Sequence, residues 1–474
     1  MQRQTPRRTK IVATLGPATS SPEAVAALAE AGIDAARFNF SHGSRDDHAR
    51  RAEHVRAAQE TVGRAIALIA DLQGPKIRVG DLEQPMHLET GGHVIVVGAE
   101  ELDGHKGLLP VSPAVLGDVL KPGHDVLIDD GRLRLQVESV EGGRATCAVI
   151  TGGTVTAHKG VNVPGVPIPI PSLTRKDLED LDFALHELDV DYVALSFVRS
   201  AADVRDLRDL IEHAGSRARV IAKIEKAEAV DALLDILAET DAVMVARGDL
   251  GVEIGVAEVP LIQKRIILRA LERGKPVITA TQMLESMVHS PEPTRAEASD
   301  VANAVLDGSS ALMLSAETAA GEYPLESVAY MDRVARVIEP ALGYRHELPE
   351  PHENPSISEA VSNAACDLAE ALGAKAILVP TFSGRTASTV ARLRPKRPII
   401  ALTHHAGVAR NLAIEWGVTP VVIPEGRDVE DLFSRSVSAA RGTAIVEAGD
   451  LVVITAGTAV NMPGTTNLIR VETA

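Results

Sequence analysis

Two cysteines in 474 residues, Cys147 and Cys366, cannot make a disulfide framework, and neither sits in a CxxC or Cys/His spacing that would hold zinc. No apolar stretch approaches the roughly 18 residues needed to cross a bilayer, which excludes a membrane-spanning helix. The opening MQRQTPRRTK is basic but runs into a predicted strand rather than the apolar core of a signal peptide. A cytosolic location is therefore expected, and the Asn39-Phe40-Ser41 sequon carries no meaning for glycosylation. Positive charge is also short. There are 48 Lys and Arg against 65 Asp and Glu, for a net charge of −17, and no patch of cations offsets it, so a nucleic-acid partner is excluded. A Walker A pattern is absent, which excludes an ordinary P-loop kinase. Heptad arrays, low-complexity tracts and 20–50-residue repeats are absent as well.

What remains is a globular composition, 45% apolar and 24% charged, on a chain long enough for about three domains. Eight short apolar runs alternate with amphipathic stretches. They begin at Lys10, Ala35, Ala65, Tyr192, Val220, Ala242, Pro276 and Ala311, and helical stretches such as PEAVAALAEAG and PLIQKRIILRALERG fit between them. That count predicts an α/β fold, a (β/α)8 barrel over 1–74 and 172–342, with chemistry at the C-terminal ends of its strands. Residues 75–171 interrupt it. Their alternating segments HVIVVG, DVLIDD, RLRLQVESV and RATCAVI, divided by GG, DG and KPG turns, predict an inserted all-β lid with Gly- and Pro-rich hinges. After the linker ELPEPHENP, a second α/β series (AKAILVP, PIIALT, VTPVVI, DLVVITAG) fills 343–474. Its last segment, NLIRVET, follows a loop too short for a parallel crossover, so it is expected to pair antiparallel.

Seven of the eight runs end in polar groups: Arg37, Asn39 and Ser41; Asp71; Ser196; Lys223 and Glu225; Arg247 and Asp249; Thr281 and Gln282; Ser315 and Glu317. A structural ion-pair network is one reading of them. A catalytic site is the other, because charges at a barrel rim are costly unless paired or metal-bound. Glu225 and Asp249 end adjacent strands with no His or Cys near, a donor set suited to Mg2+ or Mn2+. Lys223, two residues before Glu225, faces the same way. It suits phosphoryl transfer, although a Schiff-base lysine or a plain counter-ion has the same appearance.

Ten ordered motifs resemble those of pyruvate kinases. They are KIVATLGPA, ARFNFSHG, ADLQGPKIR, HKGVNVPG, VALSFVRS, AKIEKAEAV, VMVARGDLGVE, ATQMLESM, TRAEASDVANAVLDG and MLSAETAAGEYP. The resemblance implies the last step of glycolysis, in which phosphoenolpyruvate and ADP give pyruvate and ATP, by a homotetramer under allosteric control. It implies that Arg37 grips the phosphate, and that Lys223 stabilises the moving phosphoryl group and then the enolate. Glu225 and Asp249 would hold the divalent ion, while the Gly248 and Asp249 amides and the Thr281 hydroxyl would take the substrate carboxylate. Arg78 and Lys159, with Asn39 and His42, would reach the nucleotide phosphates; without the resemblance, Arg78 and Lys159 read as solvated charges. The enolate proton would come through water near Thr281 and Ser315.

Two departures stand out. Potassium-requiring members have glutamate where this chain has Lys76, and a threonine-lysine pair at Leu72 and Gln73, although the cation pocket of Asn39, Ser41 and Asp71 is retained. The expectation is an enzyme that does not need K+, Lys76 occupying or electrostatically replacing the ion. In PTFSGRTAS, residues Ser383, Gly384, Arg385 and Thr386 predict a phosphate nest at a helix start, where the family binds sugar-phosphate effectors. The final loop TAGTAVNMPGTT lacks the Trp, Lys or Arg that would grip a second phosphate, so an effector with one phosphate, a sugar monophosphate or AMP, is expected; SGRT as a simple helix cap is the alternative.

Overall fold

A computed structural model describes residues 6–99, 107–113, 115–342, 355–457 and 466–474. Eight parallel strands close a barrel: Lys10–Thr14, Ala35–Asn39, Ala67–Asp71, Tyr192–Leu195, Arg219–Ile224, Ala242–Ala246, Val277–Ala280 and Ala311–Leu314. The first strand pairs with both the second and the eighth, so no edge is left open. Each of the eight apolar runs contains one of these strands. Such runs are apolar without alternation because both faces are covered. Leu68, Val193, Val220 and Val243 face the surrounding helices, while Val12, Ile69, Tyr192, Ile221, Met244 and Ile278 fill the interior. The interior file then continues upward with the same two-residue period, from Ile69 to Asp71 and from Ile221 to Lys223 and Glu225.

The lower mouth is plugged by the C-terminal unit. Ala413 and Ile414 join the barrel's inner cluster, and the Tyr192 hydroxyl donates to the Asn411 carbonyl at 2.6 Å. Only the upper end remains for chemistry. Between the third and fourth barrel strands lies a seven-stranded sheet, which includes the four strands expected from the turn signals, His93–Gly98, Asp125–Ile128, Leu133–Glu141 and Arg144–Thr151. A further strand, Leu108–Ser112, escaped the sequence reading because Pro110 interrupts it, and Arg78–Val79 and Val161–Asn162 are too short to show a period. The chain's two crossings into the lid are tied to each other. Val79 N–H donates to the Lys159 carbonyl at 2.8 Å and Val161 N–H to the Ile77 carbonyl at 2.9 Å.

The C-terminal sheet has the order Val418–Val422, Ile399–Thr403, Ala376–Pro380, Leu451–Gly457, Thr466–Thr473. Four strands are parallel and the last is antiparallel, as the short loop requires. Residues 343–354, which include most of the linker, and the loop at 458–465 lie outside the described residues.

Candidate active site

Five barrel strands deliver one connected set of charged and hydroxyl groups at the upper mouth. Asp71, at the end of the third strand, receives Arg37 Nε on Oδ2 at 2.6 Å and Lys223 Nζ on Oδ1 at 3.1 Å. Lys223 also donates to Ser196 Oγ at 2.7 Å and lies 2.9 Å from Glu225 Oε1. The second Glu225 oxygen accepts the Phe197 N–H at 2.8 Å. The one run without a predicted polar end, the first, supplies Thr14, whose hydroxyl receives Arg37 Nη1 at 3.0 Å and donates to the Leu314 carbonyl at 2.8 Å. Thr14 was missed although the alternation from Val12 points to it.

Burial works against the charge on Lys223, but Asp71 and Glu225 outweigh it and hold the pKa of the ammonium above its usual value. Asp71 is likewise buried, yet Arg37 and Lys223 hold its pKa below the usual carboxylate range. Glu225 moves the other way. Burial and the neighbouring Asp249 carboxylate raise its pKa, against the pull of Lys223. Asp249 itself has no hydrogen-bond or ion-pair partner among the described residues. Two carboxylates that repel each other, one of them unpaired, are a fit for a hard divalent cation with positions left for substrate oxygens.

Asp249 is the third residue of the helix Arg247–Ile254, so the amides of Gly248 and Asp249 lie in a first turn that has no intrahelical acceptors. Thr281 approaches that turn so closely that a Cβ at position 248 would stand 2.9 Å from its methyl carbon. A larger residue there would have to push the Thr281 side chain aside. Glu317 braces the rim, since its oxygens accept the Leu284 and Ser315 N–H groups at 3.1 and 2.7 Å, and Ser315 directly follows the eighth strand.

Between hinge and rim is a cavity of about 160 Å³, lined by Lys76, Arg78, Asn162, Val166, Phe197 and Asp249 among others. Arg78 Nη1 donates to the His158 carbonyl at 3.1 Å, and Lys159 Nζ holds Asp129 Oδ1 of the lid at 2.7 Å. His42 is at the mouth, largely exposed, and partial desolvation together with the cations Lys76, Arg78 and Arg37 lowers its pKa. Asn39 Oδ1 accepts the Ser41 N–H at 3.1 Å. Lys76 is exposed and makes no ion pair among the described residues. Direct occupation of the Asn39, Ser41 and Asp71 pocket by its ammonium is not the arrangement present, because both Asp71 oxygens are held by Arg37 and Lys223.

In the C-terminal sheet, Gly384, at φ +86, precedes the helix Arg385–Arg392. Its N–H is used by Thr381 Oγ1 at 3.0 Å, and Thr386 Oγ1 bonds Thr466 Oγ1 at 2.7 Å. Arg219, the first residue of the fifth barrel strand, donates to the Ser383 carbonyl at 3.2 Å.

Residues 6–328 match the model of the pyruvate kinase barrel domain and residues 359–472 that of the pyruvate kinase alpha/beta domain. The chain is 43% identical to a pyruvate kinase of Clostridium acetobutylicum over 470 residues, covering 98% of this chain and 99% of the relative. It is 46% identical to that of Mycobacterium tuberculosis over 466 residues, with 98% of each chain covered. A crystal structure of a pyruvate kinase from Cryptosporidium parvum superposes with a TM-score of 0.93 at 35% identity, covering 98% of this chain and 96% of that one. With both family domains present in order and relatives matched from end to end, this chain belongs to the pyruvate kinase family.

Proposed function

We propose that the family reaction, transfer of the phosphoryl group of phosphoenolpyruvate to ADP, runs at the upper barrel mouth with Arg37 and Lys223 as the cations on the moving group. The observation that carries this is the buried Lys223 ammonium, preset by Asp71, Ser196 and Glu225 and sharing Asp71 with Arg37. Cations held before substrate arrives need no reorganisation when charge spreads over the phosphoryl oxygens. Lys223 then faces the enolate left behind. The Gly248 and Asp249 amides and the Thr281 hydroxyl take the substrate carboxylate, since a helix start offers free N–H groups. Glu225 and Asp249 would hold Mg2+ or Mn2+, which would supply Lewis-acid stabilisation of the phosphate and enolate oxygens. On the lid side, Arg78 and Lys159, with Asn39 and His42, receive the nucleotide phosphates, Lys159 exchanging Asp129 for phosphate oxygen. Formation of ATP and pyruvate from phosphoenolpyruvate and ADP, followed with a lactate dehydrogenase coupling, tests the reading; no ATP at saturating Mg2+ overturns it.

Potassium is not needed in this scheme. The field of Lys76 reaches the 39–42 loop, where it is among the causes that lower the His42 pKa. Replacing KCl by tetramethylammonium chloride at constant ionic strength is expected to change turnover less than about twofold, whereas Lys76→Glu should acquire a dependence of about tenfold or more. A tenfold fall in the unmodified enzyme would sink the idea.

Regulation through the C-terminal unit rests on the loop of Ser383, Gly384, Arg385 and Thr386. One of its four amides is spent on Thr381, which leaves donors enough for a single phosphate. The Ser383 carbonyl also receives the Arg219 guanidinium, from the strand that carries Lys223. A hexose monophosphate or AMP is expected to activate at subsaturating phosphoenolpyruvate, and Arg385→Ala to abolish that activation with the unactivated rate unchanged. Activation by fructose 1,6-bisphosphate at the lowest concentration of any compound tested counts against a single-phosphate site.

A further inference from the structure

Thr281 has an uncommon backbone. It is β-branched, yet it stands at φ +73, and Gln282 follows at φ +55. Such a pair persists only where its surroundings over-determine it. Here the surroundings are one guanidinium. Arg247 Nε donates to the Ala280 and Thr281 carbonyls, each at 3.2 Å, and Nη2 to the Thr281 and Gln282 carbonyls at 2.7 and 3.3 Å. Nη1 is anchored on Asp300, 2.8 Å from Oδ1 and 2.7 Å from Oδ2. Three successive carbonyls thus converge on a planar fork, which a lysine ammonium cannot reproduce. From the other side Gly248 admits the Thr281 methyl, and the Thr281 hydroxyl has no partner among the described residues.

We infer that Arg247 is a positioning residue for phosphoenolpyruvate. By holding the carbonyls of Ala280, Thr281 and Gln282 it sets the Thr281 hydroxyl against the Gly248 and Asp249 amides, so that all three donors meet one carboxylate. The inference rests on the carboxylate role proposed for Thr281. It assigns Arg247 no contact with substrate.

Arg247→Lys is expected to lower kcat/KM for phosphoenolpyruvate about a hundredfold, the cost of a misplacement near 1 Å. The KM for ADP should stay within about twofold, which a general loosening of the barrel would not allow. In a Thr281→Ala background the same substitution should cost less than about threefold, because the group it positions is gone. Added guanidinium should restore part of the activity of Arg247→Ala. Full additivity of the two substitutions, or equal rises in both KM values, overturns the inference. A loss in Thr281→Ala with none in Arg247→Lys overturns it alone, whereas no loss in Thr281→Ala overturns the carboxylate role as well. If the Arg247 variants do not accumulate folded, Asp300→Ala decides, since it keeps the fork and removes its anchor. A fall of about fivefold confined to phosphoenolpyruvate supports the inference, and no change overturns it.

Discussion

Replacing Lys223 by Met is expected to cut kcat by about a thousandfold or more while the barrel stays folded. Loss of one preorganised donor at developing charge costs about a hundredfold to a thousandfold, and Lys223 brings a full cation. Its ammonium is the only group that touches Asp71, Ser196 and Glu225 together among the described residues. Breaking a buried pair is itself destabilising, by about 3 kcal/mol in ordinary cases. The penalty is softened here because Asp71 keeps Arg37. A melting temperature a few degrees lower, with phosphoenolpyruvate binding retained, should therefore accompany the loss of turnover. Coupled-assay kinetics beside circular-dichroism melting measures both. A variant with more than about a tenth of the normal kcat would remove Lys223 from the catalytic role.

Asp249→Asn separates activity from stability in opposite directions. The carboxylate has no ion-pair or hydrogen-bond partner among the described residues, and it repels Glu225, so in chelator the variant should melt no lower than the parent. With magnesium the order reverses. Changing groups behind a metal ligand costs about ten- to a hundredfold in affinity, so losing the ligand itself should raise the half-activating Mg2+ concentration by about a hundredfold or more. Magnesium titration at saturating substrates, with melting in EDTA, reads both effects. An unchanged half-activating concentration would place the ion elsewhere.

The barrel was legible because its strands are buried on both faces and so appear as eight unbroken apolar runs at βα spacing. The polar strand ends were legible for a related reason, the two-residue alternation that carries Ile69 to Asp71 and Ile221 to Lys223. Arg247 was legible only as another charge at the rim. Its acceptors lie 33 to 35 residues further on, and they are backbone carbonyls, whose direction depends on φ and ψ rather than on residue type. The partner of Lys159 was hidden in the same way, since Asp129 reaches it across the lid.

By itself, then, the sequence determined the number of strands, the inserted lid, the antiparallel last strand and the residue types that surround the mouth. Each of these follows from local periodicity, turn chemistry or loop length, which neighbouring residues encode together. Which charges share an acceptor follows from closure of the barrel instead. Arg37 and Lys223 divide the two oxygens of Asp71, Asp249 is left without a partner among the described residues, and Lys76 stays outside the pocket that its position in the chain suggested. Those pairings depend on closing the barrel, which brings strand ends separated by 34 and 152 residues within hydrogen-bond distance, and hydrogen bonds operate at that range alone.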